Sequence, residues 1–251
     1  MSRTAGTATR RGAITVAGVL AGLVLWESFG PRLPDLPERW DVALVACVLI
    51  PVTLLPAYAF RWFAGRRETL PFAAALAALA VGLYFVDAHV VSAGGLFNVA
   101  KLLALIFAGM WFLMWFETLS WVVLVAAIIP LVDIYSVYQG PTKVVIEQKP
   151  TLFDHIAISF SLPGHDGAAQ LGPPDVFFFS MFLAAAARFH LRVKLTAAAM
   201  AAALGATILA TSWFDLNGLP ALPAISLGFL VANGDDLIRR ARRRRRTAEP
   251  V

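Results

Sequence analysis

Long apolar runs with few charges are the feature of this sequence that most restricts its fold. Apolar residues make up 59% of the 251 residues and charged residues 15%, whereas a soluble domain carries about 25% charge. A chain inside a bilayer must satisfy its own backbone hydrogen bonds, which restricts it to helices or closed barrels. The sequence lacks the alternating segments of about ten residues that build a transmembrane barrel. The predicted fold class is therefore all-α, a polytopic bundle of membrane helices.

Eight membrane helices are predicted from the positions of these runs. They cover residues 13–29, 42–63, 70–91, 96–116, 119–138, 175–189, 195–213 and 220–237. Pro51 and Pro56 are expected to kink the second helix. The chain is predicted to form a single membrane domain, 1–251. Its parts are N-terminal helices in 1–118, a second group of helices in 119–237 and a basic tail in 238–251.

Basic residues predict the orientation, because loops rich in Lys and Arg stay on the cytoplasmic side. They cluster at residues 10–11, 61–67, 188–194 and 239–246, and the last range contains seven arginines. With eight crossings all these clusters fall inside, together with both termini, and the 139–174 loop falls outside. Glu117 fits less well, since its short inner loop has no cation. The predicted location is a prokaryotic inner membrane, where contact with the lipid bilayer explains the basic charge without a nucleic-acid partner.

The sequence predicts no cofactor and no metal. The single cysteine, Cys47, excludes an internal disulfide and a Cys-rich metal site. The four histidines are scattered without metal-ligand spacing. Ser136 and Ser180 lie within predicted spans but lack a neighbouring base, which argues against a serine-type hydrolase.

Two aspartates lie at similar predicted depth, and a charge near the bilayer centre costs roughly 3 kcal/mol or more. Asp133 is in the outer part of the fifth helix, and Asp175 follows Gly172-Pro173-Pro174 at the outer start of the sixth. The two helices are antiparallel neighbours in the predicted topology. Two simpler interpretations stay open: Asp133 reaches the interface or pairs with Lys143, and Asp175 is an N-cap residue.

Further polar residues lie at the outer ends of the third and fourth helices. Asp87, His89, Asn98 and Lys101 are interpreted as side chains that reach the membrane interface. They could instead stabilise one another across a turn at residues 92–95.

Prolines mark the start of the eighth helix, in the segment Pro220-Ala221-Leu222-Pro223. Proline leaves backbone groups unpaired, and inside a membrane such groups must face protein, water or a ligand. The segment is either a kinked helix start or a backbone edge offered to an extended peptide.

Short strands are predicted in the long outer loop, at Lys143–Ile146, His155–Ser161 or Ala168–Leu171. Such a strand could pair with the unwound part of a bound peptide. The hypothesis predicts that Leu171→Pro abolishes activity towards the bound peptide without unfolding the protein. A plain solvated loop is the alternative.

Three motifs in order carry a resemblance to a known family: D-x-x-x-V-Y from Asp133, L-G-x-x-D-x-F-F from Leu171, and P-A-L-P from Pro220. Together they resemble the presenilin and signal peptide peptidase family of intramembrane aspartyl proteases, in its microbial presenilin-like branch. The resemblance covers roughly residues 119–235. It implies an aspartic-type endopeptidase that cleaves transmembrane helices of other proteins.

The resemblance also implies site residues. Asp133 and Asp175 would be the catalytic pair. The substrate-binding residues would be Pro220, Ala221, Leu222, Gly172, Leu171 and Tyr138. The sequence departs from the family pattern at Val132, where Tyr is usual, and at Pro174, where Gly is usual. It also has eight predicted helices, where nine are usual.

Two other functions fit the same residues. A proton- or cation-coupled transporter or channel would use the two acids as ion sites. A catalytically silent homologue would bind membrane helices without cleaving them. The pattern carries no prediction of oligomeric state.

Overall fold

The structure, a computed structural model, describes residues 2–85, 93–139, 155–164, 168–214 and 219–248, which are mostly helical. Its helices are α1 Ser2–Phe29, α2 Glu38–Leu44, α3 Ile50–Phe60, α4 Thr69–Phe85, α5 Ala93–Phe112, α6 Leu119–Gln139, α7 Pro173–Arg188, α8 Val193–Trp213 and α9 Leu222–Ala248. Two strands, β1 Ile158–Ser161 and β2 Ala168–Leu171, lie between α6 and α7.

Four helical runs in the described residues are long and apolar enough to cross a membrane. They are Glu38–Phe63, Gly94–Trp115, Leu119–Gln139 and Val193–Trp213, and the apolar α4 is shorter. The prediction of a helical membrane bundle is confirmed at this level. The run Glu38–Phe63 joins α2 to α3 through a π turn at Val45–Leu49. Pro51 follows that turn and has no N–H to continue the normal ladder.

Several predicted boundaries differ from the structure. The first helix begins at Ser2 rather than at residue 13, and the second begins at Glu38 rather than at residue 42. The turn expected at 92–95 is wrong, because α5 already begins at Ala93. Gly95 lies inside α5, where an added Cβ would be 3.0 Å from the Cα of Val24 in α1. That glycine therefore serves a close helix contact rather than a turn.

The last helix, α9, continues to Ala248 instead of ending at residue 237. Arginine is a good helix former, so the basic tail extends the helix. Arg239 also forms an ion pair with Asp236 one turn earlier, with an N···O distance of 2.6 Å.

Helix α7 is the centre of the bundle, because a helix that is apolar on all sides must be buried. Every residue from Phe179 to Ala186 is buried. On one side α5 approaches closely at Gly109, where a Cβ would lie 2.3 Å from the carbonyl oxygen of Phe177. On the other side the rings of Phe182 and Phe229 stack at 5.0 Å and join α7 to α9.

The two strands form an antiparallel hairpin whose second strand leads directly into α7. Ile158 is opposite Leu171 and Ser161 is opposite Ala168. The strand predictions within 155–161 and at 168–171 are confirmed, and Lys143–Ile146 lies outside the described residues. The hairpin thus ends next to the first turn of the central helix.

Candidate active site

Asp175 lies at the third position of α7 rather than at its N-cap, the position that the simpler of the two interpretations gave it. The helix begins at Pro173, so that Gly172 is the N-cap and the two prolines fill the first two positions. Proline suits these positions, since their N–H groups have no partner within the helix. The Asp175 carboxylate turns back and accepts a hydrogen bond from the backbone N–H of Gly172. This is half of a capping box, so the simple capping interpretation describes part of what the residue does.

Gly172 gives the Asp175 carboxylate its space. A Cβ at position 172 would lie 3.0 Å from Oδ2 of Asp175, closer than ordinary contact. The backbone of Gly172 has φ −63° and ψ 145°, which any residue can adopt. The glycine is therefore needed for room beside the acid and not for its conformation.

The Pro220–Pro223 segment presents one backbone donor to Asp133. Leu222 is buried and is the first residue of α9, while Pro220 and Pro223 have no N–H. The Leu222 N–H donates a hydrogen bond of 3.1 Å to Oδ2 of Asp133. A carboxylate at the N-terminus of a helix also interacts favourably with the helix dipole. The start of α9 thus holds the acid of α6 in place.

The two aspartates are neighbours in space. Asp133 and Asp175 are each half-buried, and their carboxylates are close enough to interact electrostatically. Two carboxylates in such a setting ionise together only at a high cost, so they tend to share one proton. The structure therefore brings Asp133, Asp175, Gly172 and Leu222 into one site.

The other predicted site residues vary in their placement. Pro220 and Ala221 are half-buried just before α9, and Leu171 is buried in β2. Tyr138 is 52% exposed. It lies five residues beyond Asp133, which places it about 140° around the helix from that acid. Tyr138 is thus on a different face of α6 from the one that Asp133 presents to Leu222.

The two residues that depart from the family pattern are both exposed. Val132 is 52% exposed on α6. Pro174 is exposed in the first turn of α7. Proline at this position fixes the backbone just before Asp175, where glycine would leave it free.

A polar cluster beside the hairpin was not predicted from the sequence. Asn98 and Lys101 do not reach the interface as expected, because both donate to the backbone around β1. Lys101 is only 9% exposed. Trp26 and Glu27 of α1 contact the same strand. Asp87, His89 and Lys143 lie outside the described residues.

Asn98 and Lys101 are three positions apart and share a face of α5, which is the sequence signal for this cluster. Their partners are 54 to 71 positions away in the sequence, so the signal does not identify them.

The described residues contain no group of three or more His, Cys, Asp or Glu side chains that could hold a metal ion. The arrangement is a pair of acids at the meeting point of α6, α7 and α9, beside a short hairpin. No family model, curated protein or solved structure matches the chain.

Proposed function

We propose that this protein is an intramembrane aspartyl endopeptidase of the signal peptide peptidase type. It cleaves transmembrane segments or signal-peptide remnants with Asp133 and Asp175 as the catalytic pair. One observation carries the proposal: the Leu222 N–H bonds Asp133, 89 positions earlier in the sequence, next to Asp175. The three motifs that suggested the family thus meet in space.

The chemistry requires only the two acids and a water molecule. One carboxylate, ionised, takes a proton from the water, whose oxygen attacks the scissile carbonyl carbon. The other, protonated, donates to the carbonyl oxygen and stabilises the tetrahedral diol. The diol collapses when the C–N bond breaks and a proton passes to the leaving amine. The pair titrates as a unit, and the reaction uses no cofactor.

The hairpin offers a docking edge for the substrate. A transmembrane helix must unwind before its peptide bond reaches the acids, and pairing with a strand replaces the lost hydrogen bonds. The backbone N–H groups of Ser159 and Ser161 point away from β2, since they bond Asn98 and Glu27. In an antiparallel pair the hydrogen-bonded positions alternate, so Ile158 and Phe160 are the residues that exchange hydrogen bonds with Leu171 and Ala169. A substrate strand beside β2 would therefore pair with the backbone at Ala168.

This register changes the choice of variant. Leu171 donates within the hairpin, so Leu171→Pro would break the hairpin itself and is not a clean test. Ala168→Pro removes an outward N–H at the first residue of a strand, where proline is tolerated. We expect Ala168→Pro to raise KM for a transmembrane peptide, whereas Ala168→Val retains wild-type KM. Equal KM for both variants would contradict docking at β2.

The proposed topology has eight crossings, with both termini in the cytoplasm and the hairpin on the outer side of a prokaryotic inner membrane. Basic residues at 188–194 and 239–246 then lie inside. The two acids lie toward the outer ends of their helices, near the depth at which a substrate helix leaves the membrane.

The test is cleavage of a synthetic transmembrane peptide by the protein in liposomes. We expect Asp133→Asn and Asp175→Asn each to lower the rate by at least about 100-fold, the scale of a lost acid–base group. Asp235→Asn is the matched control, because Asp235 is an exposed acid of α9 that pairs with Arg192. Equal rates for wild type and both site variants would overturn the proposal.

Two further measurements separate the alternatives. Proton-coupled flux in the same liposomes, lost in both Asn variants, would identify a transporter. An inactive protein that also fails to bind a hydroxyl-containing transition-state analogue would be a silent homologue.

A further inference from the structure

The edge of β1 that faces away from β2 is covered by side chains instead of a third strand. Asn98 accepts from the Ser159 N–H and donates to its carbonyl oxygen, both at 3.3 Å. Glu27 accepts from the Ser161 N–H at 3.1 Å, and the Trp26 indole donates to the Ser161 carbonyl at 2.9 Å. Both outward residues of β1 thus have their backbone N–H and C=O paired.

Lys101 extends the same arrangement to the residues before β1. Its ammonium group donates to the carbonyl oxygen of His155 at 3.0 Å and to that of Ala157. Asn98 also donates to Glu27 at 2.9 Å, which links α5 to α1. We call Trp26, Glu27, Asn98 and Lys101 the hairpin clamp. Four polar side chains on two apolar helices thus form hydrogen bonds with the backbone of one four-residue strand and of the residues just before it.

The clamp ties the hairpin to a helix that also sets the position of Asp175. Helix α5 carries Asn98 and Lys101, and its Gly109 packs directly against the backbone of α7 at Phe177. Strand β2 then reaches α7 through Gly172 alone. Helix α5 therefore fixes the position of β2 relative to Asp175, because it contacts both the hairpin and α7.

We propose that the hairpin clamp is a positioning device that sets which peptide bond of a docked substrate reaches the two acids. It closes the outer edge of β1 and holds β2 at one height. A strand rises about 3.3 Å per residue, so a shift of the hairpin by that distance presents the neighbouring bond. This inference rests on the proposed protease function and names the elements that select its cleavage position.

The test compares three variants on one transmembrane peptide and maps the products by mass spectrometry. Asn98→Leu removes the bonds to Ser159 and Glu27 at similar volume, and Trp26→Phe removes one donor while keeping an aromatic ring. Ser28→Ala is the control, because Ser28 bonds only the Val24 carbonyl of its own helix in the described residues.

We expect Asn98→Leu and Trp26→Phe to spread cleavage over neighbouring bonds and to raise KM more than they lower kcat. Hydrogen exchange at the amide of Ser159 should be roughly five- to tenfold faster in Asn98→Leu, the effect of one lost hydrogen bond. Ser28→Ala should cleave at the wild-type position.

Two results would overturn the inference while leaving the proposed protease function standing. Faster exchange with cleavage still at the wild-type bond would mean that the clamp only supports the fold. Unchanged exchange would mean that it does not hold the hairpin. A wild-type protein that cleaves nothing would instead overturn the proposed protease function, and the positioning role with it.

Discussion

Replacing Gly172 by alanine separates the position of Asp175 from the stability of the fold. The added Cβ would lie 3.0 Å from Oδ2 of Asp175, and ordinary contact begins at 3.4 Å. The carboxylate must therefore move by about 0.4 Å. A misplacement of about 1 Å in a catalytic site can cost roughly 100-fold in rate, so a shift of about 0.4 Å corresponds to a loss approaching tenfold. We expect cleavage to fall roughly tenfold.

Stability should hardly change in the same variant. Alanine can adopt the backbone angles of Gly172. It also lowers the conformational entropy of the unfolded chain, which raises the free energy of unfolding by about 0.4–1 kcal/mol. Alanine is also a poorer N-cap than glycine by several tenths of a kcal/mol. These effects offset each other, so the melting temperature should stay within about 2 °C.

The assay measures peptide cleavage and thermal unfolding on the same preparation in liposomes. Gly82→Ala is the control, since a Cβ there meets nothing within 4 Å in helix α4. It should gain up to about 1 kcal/mol of stability without any change in cleavage. Full activity of a folded Gly172→Ala protein would refute the close contact with Asp175. If Gly172→Ala lost stability as well as cleavage activity, the idea that only the carboxylate moves would be refuted.

Three other changes test the supports of the site. Leu222→Pro removes the N–H that binds Asp133 at a position where proline is tolerated; cleavage should fall at least about tenfold below that of Leu222→Ala, as measured by peptide turnover. Gly109→Ala places a Cβ 2.3 Å from the Phe177 carbonyl oxygen, so thermal unfolding should show a loss of about 3 kcal/mol or more. Asn233→Leu removes a buried amide that bonds three groups and should cost about 3 kcal/mol in unfolding experiments, with normal cleavage per folded molecule, since it lies about 16 Å along α9 from Leu222.

The helix positions could be predicted from the sequence, because each apolar run has to be buried in the protein or cross the membrane over its whole length. The runs at 119–138 and 195–213 match α6 and α8 to within two residues. The end of α9 did not follow, because hydropathy reports where the apolar run ends and not where the helix ends. Arginine propensity and the Asp236–Arg239 pair continue the helix past that point.

The acids were predicted as neighbours from topology alone, but their supports were not. A hydrogen bond from Leu222 to Asp133 depends on how α6 and α9 pack, and no local pattern encodes that packing. The same limit applies to Glu27, which meets Ser161 across 134 positions. In the sequence it is an acid near the end of the predicted helix 13–29, and nothing beside it indicates that partner.

Helix α6, which carries Asp133, is much less buried in the protein than α7, which carries Asp175. Only 11% of its span is buried inside the protein, whereas α7 is buried on all sides. Leu131, Val132 and Ile134 beside Asp133 are all exposed apolar residues. In a bilayer these side chains contact acyl chains. The lipid around α6 is therefore part of the surroundings of Asp133, on the faces of the helix that the protein leaves uncovered.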